Sequence, residues 1–197
     1  MFNDLTSPKS LLATRRSGKP RDLVAPGPDA DSLRAILTSA MRVPDHGKLA
    51  PWRFVIVEAE QRDALSALIV GAYLREKPDA GRLEVDAMEQ FARQAPTLVV
   101  VVSAPAAESK IPLWEQELSA GAACMQLLNA IHAHGFAGGW LTAWPAFNDD
   151  VRRAFCADGQ RIAGFVFAGS LQKDQEERPR PDFDAVVQRW TPPVMQG

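Results

Sequence analysis

The apolar positions along the chain follow two different periods. Leu33, Ile36, Leu37, Ala40 and Met41 recur at i, i+3, i+4, i+7 and i+8, the spacing of one buried helix face. Asp29 or Asp31 can cap this helix, and Pro44 stops it. Ser7-Pro8 marks an earlier helix start, with serine as cap, proline in the first turn, Leu11 and Leu12 as anchors and Gly18 as the end. WRFVIV, Trp52 to Val57, is β-branched and aromatic and predicts a strand. Helical stretches are predicted over 61–76 and 80–94. TLVVVVS, Thr97 to Ser103, is apolar on both faces, so it predicts a strand in a sheet covered on both sides.

The longest predicted helix runs from Leu113 to Gly135. Trp114, Leu118, Met125 and Leu128 lie on one stripe, and Leu113, Cys124, Leu127 and Ile131 on another. Glu115, Ser119, Gln126 and Asn129 form a polar strip between them. Two apolar stripes place such a helix at the centre of its fold or of a dimer. Its middle, Ser119 to Ala123, is built of small residues, so another group can approach its backbone closely. Gly138-Gly139-Trp140 reads as a turn, residues 148–155 as a short helix, and Ile162 to Ala168 as a strand. Residues 19–28, with Pro20, Pro26 and Pro28, read as a loop. From Gln172 the tail is charged and proline-rich. With no repeat and no linker, residues 1–197 are expected to form one α+β domain, an apolar sheet with helices on both faces.

Composition narrows the function classes. A chain of 197 residues can bury a sizeable core. A net charge of -2 gives no indication of a nucleic-acid or membrane-surface partner. Cys124 and Cys156 cannot build a disulfide framework and suit a reducing cytoplasm. The opening residues lack a signal-peptide pattern, and the run Leu98 to Val102 is too short to span a bilayer. A soluble, cytoplasmic protein is expected.

Several common chemistries lack their signatures. No GxGxxG follows a strand, and neither GxxxxGK[ST] nor GxSxG occurs. His132 and His134 are two apart on a helix and face different ways, so no metal pair is expected. They read as a partly exposed helix end whose imidazoles complement the C-terminal dipole. Three clusters remain. Arg15-Arg16-Ser17 offers two guanidinium forks and a hydroxyl, which suit a phosphate dianion. Basic residues also sit at helix ends simply to complement the dipole. RVPDHGKLAPWRF, Arg42 to Phe54, puts a cation, an imidazole at His46, a permissive glycine and an indole close together. That set could line a pocket for a flat polar ligand, or serve as a helix end, a solvated turn and a strand start. GFAGGWLT, Gly135 to Thr142, offers close backbone approach, an indole face at Trp140 and a hydroxyl at Thr142. It also suits a helix end and a tight turn.

In their order along the chain, RRS, MRVPDHGKLAPWRF, PLWEQELSAGAACMQLLNAIHAHGFAGGWLT and GFVFAGS resemble the FMN-dependent nitroreductase family. The likeness is greatest to its small, single-domain NAD(P)H nitroreductase branch and runs from about Leu11 to Ser170. The resemblance implies a three-layer sandwich with a central, mainly antiparallel sheet flanked by helices. It implies a homodimer with exchanged C-terminal arms and FMN at the interface. By motif, Arg15, Arg16 and Ser17 would bind the phosphate end of FMN. Arg42 and His46 would complete the site from the partner chain, and Trp140, Leu141 and Thr142 would line it. Ala130, Ile131, His132, Ala133, His134 and Gly135 match the stretch where this branch meets the nicotinamide nucleotide. The implied activity is ping-pong reduction of a nitroaromatic, quinone or similar acceptor by NADH or NADPH through flavin N5, with no side chain as nucleophile. Alternatives are a flavin-holding dimer with a regulatory or storage role, and a same-fold flavoenzyme that dehydrogenates or dehalogenates. The substrate pocket would be shaped by residues near Ala72 to Ala92.

Overall fold

The computed structural model describes residues 1–193. Ser7 caps α1 (Pro8–Thr14), its hydroxyl accepting from the Ser10 N–H, and Asp29 caps α2 (Ala30–Ala40) by accepting from the Ser32 N–H. Strand β2 (Trp52–Val57) is followed by α3 (Arg62–Glu76), α4 (Arg82–Phe91) and β3 (Thr97–Ser103). Helix α5 (Leu113–Ala133), β4 (Ala137–Leu141), α6 (Asp149–Phe155) and β5 (Arg161–Leu171) complete the body, and a short α7 (Phe183–Val186) lies in the tail.

All strand pairings are antiparallel. β3 lies between β2 and β5, and the long β5 pairs in turn with β4 through Phe165–Gly169 and with a two-residue β1 (Leu23–Val24) at its end. The alternation of β3 divides the core. Leu98, Val100 and Val102 face one layer with Leu65, Ile69, Phe91, Phe165 and Phe167. Val99 and Val101 face the other, with Ile36, Cys124, Leu127 and Ile131. This is the three-layer architecture that the doubly apolar β3 predicts.

Arg62 ties one end of the sheet together. Its buried guanidinium donates to the carbonyls of Val57, Ala92 and Pro96, and burial lowers its pKa. Those carbonyls belong to β2, the end of α4 and the approach to β3. One planar fork thus satisfies three chain ends that would otherwise be unpaired.

Two local expectations change. The stretch 19–28 is not wholly loop: Leu23 is buried and pairs with Leu171, so β1 extends the sheet. Gly138-Gly139-Trp140 is the middle of β4 rather than a turn. The glycines there answer to packing. A Cβ on Gly138 would lie 3.0 Å from the Leu128 side chain, and one on Gly139 would lie 2.5 Å from the Gly18 carbonyl oxygen. The turn itself falls at Gly135, where φ is +83°.

Candidate functional site

Helix α1 ends at Thr14, and Arg15 leaves it in an extended conformation (ψ 126°). The chain then runs beside β4, where the Gly18 N–H donates to the Gly138 carbonyl at 2.9 Å. Arg15-Arg16-Ser17 and Gly138-Gly139-Trp140 are therefore neighbours, although more than a hundred residues separate them in sequence. Between them lies a cleft of about 510 Å³ whose lining includes Arg16, Ser17, Lys19, Arg21, Trp140, Leu141 and Arg178.

The cations of this loop are held by neutral partners. Arg15 Nη1 donates to Ser17 Oγ at 3.1 Å, and Arg16 donates to the carbonyls of Glu176 (3.0 Å) and Ser17 (2.8 Å). Among the described residues no carboxylate lies within ion-pair distance of Arg15, Arg16 or Arg42. Burial, then the charges of Arg180 and Arg16, push the pKa of Arg15 down. A half-buried guanidinium beside two like charges gains from an anion.

Side chains alternate along β4. Trp140 turns toward β5, where its Nε1 donates to the Ala163 carbonyl at 3.1 Å. That carbonyl is offered by an irregularity in the sheet: Val101 faces Gly164 but Val102 faces Ile162, so Ala163 is bulged out of register. Gly164 leaves the space the indole occupies, since a Cβ there would lie 1.9 Å from Trp140 Nε1. Leu141 packs on the opposite layer, and Thr142 is exposed just beyond the strand. Trp140 and Leu141 therefore jointly offer a ligand their backbone, while their side chains diverge.

Arg42 to Phe54 is tied to the other end of α5. The Asp45 carboxylate accepts from the Leu49 and Ala50 N–H groups at 2.9 Å each, closing a loop in which Gly47, Lys48 and Ala50 all have positive φ. Ser119 Oγ donates to the Pro44 carbonyl at 2.7 Å and accepts from Trp52 Nε1 at 3.2 Å. Trp52 thus clamps the loop to the helix. His46 Nδ1 lies 2.8 Å from Glu115 Oε2. A carboxylate partner keeps the proton on Nδ1 and directs Nε2 outward. Arg42 is exposed, just past the end of α2.

Within one chain these clusters stand apart. Glu115 marks the His46 end of α5, and Ile131 packs under Gly138 at the other. At 1.5 Å per residue the two are about 24 Å apart along the helix. The structure brings Arg16 and Ser17 to Trp140 and Leu141, with Arg15 and Thr142 next to them in sequence but outside the cleft lining, and leaves Arg42 and His46 at the other end of α5.

The stretch Ala130 to Gly135 divides by exposure. Ala130, Ile131 and His132 are buried, and Ala133, His134 and Gly135 are exposed. His132 corrects the expectation of a partly exposed helix end: it is 1% exposed, and among the described residues neither ring nitrogen has a hydrogen-bond partner. Burial, then the charge of Arg15, lowers its pKa to about 4. His132 lines one small cavity with Phe2, Asn3 and Leu5 from the N-terminus and Ser170 and Leu171 from β5. Sequence reasoning also missed Lys19, Arg21 and Arg178. The first two follow RRS directly, so the basic run was a usable signal. Arg178 arrives from the tail, and no local pattern announces it.

Among the described residues no helix is long and apolar enough to cross a membrane. The model of the Nitroreductase family matches residues 12–170. The Putative NAD(P)H nitroreductase YdjA of Escherichia coli (strain K12) is 36% identical over 164 residues, covering 82% of this chain and 87% of that protein. A nitroreductase-like family protein from Bacillus cereus has a similar solved structure, with TM-score 0.77, 20% identity, and 93% and 95% of the two chains covered. The FMN and NADPH-dependent nitroreductase NfnB from sphigopyxis sp. strain HMH superposes with TM-score 0.74, 18% identity, and 94% and 99% coverage.

Proposed function

Because the chain belongs to the nitroreductase family, we propose that it is an FMN-dependent oxidoreductase using NADH or NADPH to reduce a small acceptor such as a nitroaromatic or quinone. The observation that carries this reading is the pair Arg15-Arg16, uncompensated by any carboxylate among the described residues and set against a glycine-paired strand. FMN brings a phosphate dianion and a flat ring without an adenosine, and this donor set fits both parts. Arg15 and Arg16 would hold the phosphate through charge-assisted hydrogen bonds, with the Ser17 hydroxyl as a further donor. The backbone of β4 from Gly139 to Leu141, followed by Thr142, would border the ring. The hydride chemistry is the cofactor's, with reduction by NAD(P)H and reoxidation by the acceptor as separate half-reactions at one site.

Arg42 and His46 would complete the site from a second copy of the chain, because their segment is held at the Glu115-to-Ser119 end of α5 whereas Arg16 lies beside β4, which follows the other end of the helix. Apolar side chains left exposed by the described residues support the dimer: Leu113, Trp114 and Leu118 on α5. In such a site Glu115 orients His46, and Nε2 is the atom presented. The C-terminal arm would reach the other copy, and the exposed Ala133, His134 and Gly135 would meet the nicotinamide nucleotide. A reducing cytoplasm suits the two buried thiols.

The test is direct. The purified protein should carry a yellow, FMN-type spectrum that bleaches anaerobically with NADH or NADPH and recovers with an acceptor. A colourless protein that takes up no added FMN overturns the proposal.

A further inference from the structure

Beyond the Arg16 guanidinium on the Ser17 carbonyl, the backbone of Arg15–Ser17 is held by side chains from outside the loop. The Arg16 N–H donates to Asn3 Oδ1 at 2.9 Å, and the Arg16 carbonyl accepts from Asn3 Nδ2 at 3.3 Å and from Gln175 Nε2 at 3.4 Å. The Ser17 carbonyl accepts from Gln175 Nε2 at 3.0 Å. Asn3 and Gln175 also meet each other, Nδ2 to Oε1, at 3.3 Å. Asn3 is fixed in turn, its N–H donating to the Thr14 carbonyl at 3.2 Å, and the neighbouring Asp4 N–H donating to Thr14 Oγ1 at 2.9 Å. Its φ of 53° is a left-handed conformation that asparagine tolerates better than most residues.

Two primary amides, one before α1 and one beyond β5, therefore meet on Arg16, and Gln175 also holds Ser17. Without them, two adjacent guanidinium groups repel, and the short loop must be ordered at the expense of binding energy each time an anion arrives. We propose that Asn3 and Gln175 are positioning residues for the anion-binding loop, so that the segments before α1 and beyond β5 set how tightly the cofactor phosphate is held. This rests on the assignment of Arg15–Ser17 to the FMN phosphate. Neither side chain needs to touch the cofactor.

The test uses apoprotein of the full chain and flavin fluorescence, which reads binding without turnover. Asn3→Gly keeps the positive φ and removes the side-chain bonds; Gln175→Met keeps the length and removes the donors. Each should raise the FMN Kd about tenfold, the scale of one or two net hydrogen bonds. The double variant should lose less than the product of the two, because the amides share a bond. Leu65→Ala opens the core under α3 without touching this knot, so it should lower the melting temperature and leave the Kd unchanged. Gln175 lies in the tail beyond β5, so Gln175→Met remains readable if Asn3→Gly folds poorly. Wild-type Kd in Gln175→Met and Asn3→Gly, with binding lost in Arg16→Ala, overturns the positioning role alone. An equal loss of affinity in Leu65→Ala does the same, since general destabilisation then suffices. A wild-type chain that takes up no FMN overturns the cofactor reading and this proposal with it.

Discussion

Arg16 combines charge and geometry in a way that substitution can separate. Its guanidinium is locked onto two carbonyls, those of Glu176 and Ser17, which fixes how its remaining donors point. Arg16→Ala should weaken FMN binding by about 1.5–3 kcal/mol, the range of hydrogen bonds to charged groups. Arg16→Lys keeps the charge but loses the fork, so its affinity should fall between the two. A fluorescence titration that finds both variants equal to wild type would move the phosphate elsewhere. His132 makes a different prediction, of stability rather than binding. Its folded pKa of about 4 lies below the ordinary 6.5. Between these values the unfolded chain binds a proton that the folded chain refuses, so stability rises with pH across that window. The stability is fully present above about pH 6.5 and is lost as pH falls toward 4, by up to about 3 kcal/mol. Chemical denaturation of wild type and His132→Leu at pH 7 and pH 4.5 should show a clearly smaller loss in the variant. The burial of His132 was not legible in the sequence, because the cavity it lines is shared with Phe2, Asn3, Leu5 and Leu171, all distant along the chain.

Elements with their own periodicity were legible, and elements set by a distant neighbour were not. The a/d-like spacing of α2, the caps at Ser7 and Asp29 and the unbroken apolar run of β3 are local signals, and each produced the expected element. β4 carries the opposite kind of information. Gly138 and Gly139 are small because α5 and the Gly18 backbone press on them, yet glycine pairs ordinarily mark turns. The same logic governs Gly164, whose missing side chain makes room for Trp140 across the bulge. Gly164→Ala should cost about 1–3 kcal/mol by overpacking and displace the indole from the Ala163 carbonyl. Trp140→Leu in the Gly164→Ala background should recover part of that loss. Denaturant titration gives the energies, and a double variant no more stable than Gly164→Ala alone would mean that the indole is not what the methyl meets.

At the scale of the whole molecule, the sequence placed three clusters on one list, and the fold assigns them to two ends of α5. Arg15–Ser17 joins β4 through the Gly18–Gly138 hydrogen bond, whereas His46 is held by Glu115 near the helix start. A rigid helix holds its two ends apart, so under the proposed function a single site using both clusters would draw on two chains. The exposed Leu113, Trp114 and Leu118 supply the apolar surface such an assembly needs. The dimer reading therefore makes a prediction that a monomeric site cannot share. In Arg16→Ala and Arg42→Ala homodimers, every site carries a lesion. Unfolding and refolding an equal mixture yields hybrid dimers in which one site collects both lesions and the other none. With random assortment about half of the dimers are hybrids, so about a quarter of all sites regain wild-type FMN affinity. Titration of the mixture should then resolve a tight class absent from either parent. If both clusters served a site within one chain, mixing would restore nothing, and the binding curve of the mixture would be the average of its parents.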